Sequence, residues 1–167
     1  MAIEQPPGAA LESVTYYTVE GQARAENVAF AGFHSVDFGF ELRFAGGRTY
    51  SAVWNLRLPT AWVSFSEHPM GRVVSTDGCD AVEVGRWPDW RPLVGQTCWV
   101  TAVAGPKPDA SGWTDVGFHL DFAGGERVTV ALGTLADDGG LEYQPDDLVV
   151  IFDRALADEY ITDLQRG

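Results

Sequence analysis

The chain has 167 residues, 46% hydrophobic and 21% charged, with 24 acidic against 11 basic residues for a net charge of −13. Such a length suits one domain, or two small halves packed intimately, with enough apolar material for a core that needs no staples. The charge argues against nucleic acid or an anionic membrane surface as partner, because phosphate binding needs basic patches.

No basic segment followed by an apolar core opens the chain, so no secretory signal is read. No run approaches the ~20 apolar residues of a membrane span. Residues 1–10, with Gln5-Pro6-Pro7-Gly8, read as a loose lead-in. Leu11 to Val19 carries Val14, Tyr16, Tyr17, Thr18 and Val19, a β-rich run and the first expected strand. Gly21 to Asn27 is polar and turn-like, and Asn27 to Phe33 reads as a short strand or the lip of the next. Over residues 37–44, Phe38, Phe40, Leu42 and Phe44 alternate with Asp37, Gly39, Glu41 and Arg43, the period-two signature of a strand with one buried and one wet face. Gly46-Gly47 then marks a hairpin turn, since glycine takes positive φ without a Cβ penalty. Tyr50, Ala52 and Trp54 alternate along the return strand. The β pattern continues to Phe65, broken at Pro59, which cannot donate to a ladder. Residues 76–92 form a joint; Arg86-Trp87-Pro88-Asp89-Trp90-Arg91-Pro92 reads as an irregular connection rather than a flexible linker.

Beyond the joint the pattern starts again. Leu93 to Val103 is a strand equivalent to Leu11–Val19, and Gly105 to Asp109 is a loop. Residues 115–132 then match 37–54 at an offset of 78 without a gap, with 8 of 18 positions identical. Val116, Phe118, Leu120 and Phe122 oppose Asp115, Gly117, His119 and Asp121, and Gly124-Gly125 repeats the turn. A fainter match sets His68–Asp77 against Gln144–Asp153. Asp137-Asp138-Gly139-Gly140 is a further turn, and Leu148 to Phe152 a short buried strand. Asp153 sits where a helix N-cap belongs, and Leu156, Tyr160 and Leu164, flanked by Ala157 and Ile161, form one apolar helical face.

Catalytic signatures are missing from this pattern: no phosphate loop, no G-x-S-x-G elbow, no H-E-x-x-H, no C-x-x-C. His119 falls on the polar parity of its strand and His34 in a loop or strand end, so both are expected at the surface. Nothing in the spacing of His68, Cys79 and Asp80 resembles a zinc site, and the acids after residue 136 do not follow the EF-hand spacing for calcium. Cys79 and Cys98 make no disulfide framework and read as reduced thiols in a cytoplasmic protein. Residues 137–163 concentrate charge: nine acids against Arg154 alone. Such a field steers a basic protein toward it, and Trp is enriched at interface hot spots.

These features predict an α+β fold, predominantly antiparallel β, in which internally duplicated β-meander units form a sandwich or a barrel with one C-terminal helix. Residues 1–167 make a single domain of two pseudo-repeats, about 11–85 and 86–167. The expected function is a non-enzymatic protein-binding module, immunity-like or inhibitor-like, that recognises a basic partner through Asp137, Asp138, Glu142, Asp146, Asp147, Trp87 and Trp90, with no cofactor and no metal. The alternative is a small-ligand-binding β domain, and behind it a hydrolase using dispersed carboxylates or a histidine.

Overall fold

Alternation becomes strand along most of the chain in the computed structural model, which describes residues 8–57, 59–107 and 113–166. The elements are β1 (Ala9–Val19), α1 (Ala25–Val28), β2 (Ala29–Phe30), β3 (Phe33–Val36), β4 (Gly39–Phe44), β5 (Arg48–Arg57), β6 (Thr60–Ser66), α2 (Met70–Val73), β7 (Cys79–Glu83), β8 (Thr97–Pro106), β9 (Trp113–Phe122), β10 (Arg127–Leu132), β11 (Thr134–Leu135), β12 (Leu141–Glu142), β13 (Leu148–Ile151) and α3 (Arg154–Arg166). The expected lead-in lies outside the described residues as far as residue 7, and Ala9 and Ala10 already belong to β1. The loop expected over 105–109 lies outside them from residue 108. Among the described residues no helix is long and apolar enough to cross a membrane.

One antiparallel sheet runs β2-β3-β13-β10-β9-β8-β1-β4-β5-β6, with β7 also on β1. It turns at β1, whose start pairs with β8 through Ala9 opposite Cys98 and Ala10 opposite Thr97, while its remainder pairs with β4 and β7. The two arms face each other across the main core. Phe118 stands 6.4 Å from Phe40 and 4.8 Å from Phe65 between ring centroids. The sheet is not closed into a barrel, for β2 and β6 end it unpaired with one another.

Both copies of the matched segment take the same register. Phe40 lies opposite Ala52 and Phe118 opposite Val130, while Val14 faces Leu42 as Val100 faces Leu120. The shared glycine serves the same purpose in each. A Cβ on Gly39 would sit 2.2 Å from the Ala52 carbonyl oxygen, and one on Gly117 2.2 Å from that of Val130. These glycines, read as positions on a wet face, are places where the neighbouring backbone leaves no room for a side chain.

Past the hairpins the halves part. Leu148–Ile151 is a strand buried at every residue, whereas the matched residues 72–75 hold the end of the helical turn Met70–Val73 and no strand, so the fainter match does not extend to structure. A bulge between Val103 and Ala104 breaks the parity of β9. Val116, expected to face the same way as Phe118, joins a second core instead. That core forms where α3 lays Ala157, Tyr160 and Ile161 over Phe33, Val103, Ala131, Val149 and Ile151. The Asp153 carboxylate caps the helix by accepting the Leu156 N–H at 2.9 Å.

Candidate functional site

The acid-rich stretch is brought to the surface as a hairpin and an extended return. Asp137 and Asp138 stand exposed at the turn between β11 and β12, where Asp138 accepts the Gly140 N–H at 2.9 Å. Glu142 and Asp146 are exposed as well, whereas Asp147 is only partly so. Burial and then the charges of Asp37 and Asp146 push the Asp147 carboxyl up to about 6, against a weaker lowering by a hydrogen bond from Thr134. Asp37 comes from the first half. Its carboxylate accepts the Val19 N–H at 3.1 Å and its carbonyl the Trp54 indole N–H at 2.7 Å, which fixes it in place. Burial, followed by Asp37, Asp77 and Asp80, raises the Cys79 thiol. The field read from one stretch of sequence therefore extends, through Asp37, to acids of the first half that the spacing could not place there.

The tryptophans expected at a partner face behave differently. Trp87 is partly buried against the main core. Trp90 is wholly buried, at 0% exposure, and presents nothing to a partner; this corrects its expected role. Its surroundings explain why. The Trp90 indole N–H reaches the Tyr16 hydroxyl at 2.7 Å, that hydroxyl meets His34 Nδ1 at 2.8 Å, and His34 Nε2 meets the Asp89 carboxylate at 3.0 Å. An indole N–H can only donate. Tyr16 must therefore accept from Trp90 and give its own proton to Nδ1, leaving His34 neutral with its proton on Nε2, directed at Asp89. A second proton, on Nδ1, would strand the Tyr16 hydrogen in the core without an acceptor. Burial lowers the His34 pKa in the same sense, against the raising effect of the hydrogen bond and charge of Asp89.

A carboxylate, an imidazole and a hydroxyl in that order make the wiring of an activated nucleophile. Here Tyr16 and His34 are both at 0% exposure, walled by Trp87, Phe40 and Phe152. Neither group meets solvent, and the chain of bonds clamps the joint between the halves onto β1 and β3. His34 thus lies in the core rather than at the surface. His119 is also less open than its parity implied. It sits half-buried beside the α3 residues Arg154 and Asp158, its Nδ1 2.9 Å from the Thr129 hydroxyl, and its pKa is lowered by burial and then by Arg127. His68 remains exposed. Among the described residues no three His, Cys, Asp or Glu side chains gather as a metal site. Both cysteines are free, and burial with the nearby Asp121 pushes the Cys98 thiol up to about 12.

A cavity of about 640 Å³ opens between the start of β9, β12 and the last turns of α3. Nothing in the sequence pointed to it, because its walls come from Ala61, Pro106, Lys107, Val116 and Leu164, among others. Tyr160 stiffens one wall, its hydroxyl set against the carbonyl oxygens of Leu132 at 2.6 Å and Glu142 at 3.1 Å. Gly133 makes that approach possible, since a Cβ there would lie 2.2 Å from the Tyr160 oxygen.

No protein-family model matches the chain, and no curated protein or solved structure matches it either.

Proposed function

We propose that the chain is a non-enzymatic protein-binding module, immunity-like or inhibitor-like, that receives a basic partner on the face built by residues 137–147 and Asp37. The carrying observation is the crowding at Asp147, whose carboxyl is pushed up to about 6 by burial and by Asp37 and Asp146. A lysine or arginine from a partner would relieve that crowding directly, and the net charge of −13 would steer it in. The two free thiols fit a reducing compartment such as the cytoplasm.

Zero-length carbodiimide coupling tests this, because it joins carboxylates to lysine amines. The chain has Lys107 as its only lysine, so coupling within it is sparse. Co-expressed with the product of the neighbouring reading frame and then coupled, the chain should yield peptides joining Asp137, Asp138, Glu142 or Asp146 to lysines of that product. Partner lysines found only on carboxylates outside this face would overturn the proposal.

A further inference from the structure

We propose that the cavity beside α3 binds a small organic anion, a carboxylate carried on an apolar body, with Lys107 as its counter-charge. This goes beyond the acidic face and does not depend on it. The volume, about 640 Å³, is that of a site for a drug-sized molecule. Val116, Leu141 and Leu164 give the walls an apolar character, and Tyr160 adds a ring held in place by its two carbonyl contacts.

The charges on the walls differ in kind. Arg166 is taken up by Asp163 at 3.6 Å, both of them well exposed. Glu142 is exposed and solvated. Lys107 is half-buried, and among the described residues it has no ion-pair partner. Among the wall charges, a partly desolvated ammonium with no ion-pair partner among the described residues is the group that gains most from an incoming carboxylate. The overall charge of −13 opposes any anion. Yet charges more than about 8 Å away are largely screened at physiological salt, whereas a contact pair about 4 Å apart is not. The local cation therefore decides the sign of the ligand, and the apolar walls decide its body.

Three ligands with one apolar body separate the possibilities: 2-naphthoate, neutral 2-naphthamide and 2-naphthylmethylammonium, titrated calorimetrically into the full chain. The expected result is that 2-naphthoate binds at least tenfold more tightly than 2-naphthamide, and that Lys107→Gln removes the difference while leaving 2-naphthamide unchanged. Filling the cavity with Leu164→Trp should abolish binding of 2-naphthoate. A second measurement needs no variant: saturating 2-naphthoate should slow acylation of Lys107 by an amine-reactive ester several-fold, read from the mass of its peptide. Equal binding of acid and amide, preference for the ammonium, binding of none of the three, or an unprotected Lys107 would each overturn the proposal.

Discussion

At the scale of single residues, the bond chain from Trp90 to Asp89 makes sharp demands. Tyr16→Phe leaves the Trp90 N–H and His34 Nδ1 unpaired in the core, and each stranded group costs about 1–3 kcal/mol. Urea denaturation of that variant should show a loss on the order of 3 kcal/mol. Asp89→Asn keeps an oxygen for the His34 Nε2–H, so its loss should be well below that of Tyr16→Phe. The pH dependence has a fixed sign. His34 titrates below its ordinary value in the fold, so the folded chain binds fewer protons than the unfolded one in that range. Its contribution is complete above the unfolded value of about 6.5 and is lost as pH falls through the folded one. Urea midpoints measured from pH 8 to 5 should fall at the acid end, and His34→Phe should flatten that part of the curve.

Among elements, the two hairpins, the buried strand Leu148–Ile151 and the C-terminal helix were legible, and the way distant segments meet was not. Alternation and paired glycines report strand and turn directly, so β4–β5 and β9–β10 lie where the pattern puts them. The residues that escaped prediction are governed by neighbours distant in sequence. Val116 turns away because β9 bulges, His34 is buried because β3 pairs with β13, and Gly117 exists for the sake of the Val130 carbonyl. None of these is a local signal. The cavity escaped for the same reason, for its walls come from strand, loop and helix far apart in the chain. Gly117→Ala should destabilise by about 3 kcal/mol or more, since backbone cannot yield to a Cβ cheaply. Gly46→Ala, where φ is +90° in open space, should cost nearer 1 kcal/mol. Thermal or urea melts of the two variants give the comparison.

The whole molecule is held together by strands that cross between its halves. The first half lends β3 to β13 of the second, β1 bridges both arms of the sheet, and the main core draws on both. Fragments 1–85 and 86–167 should each lack a dispersed amide spectrum alone and regain one on mixing. Two independently folded fragments would contradict the interlocked arrangement. The proposed functions sit where the halves differ, on the acidic face and in the cavity under α3, while what they share is scaffold.

The pairing of Phe33 with Ile151 also fixes an order of events in time. A chain leaving the ribosome exposes β3 long before its partner strand has been made. Until β13 emerges, one edge of β3 has no strand to bond, and the site that buries His34 is incomplete. Contacts so distant in sequence slow folding and lengthen exposure to misassembly. The β3–β13 ladder and the closed site around His34 can therefore form only after β13 has been made, later than the hairpin of β4 and β5.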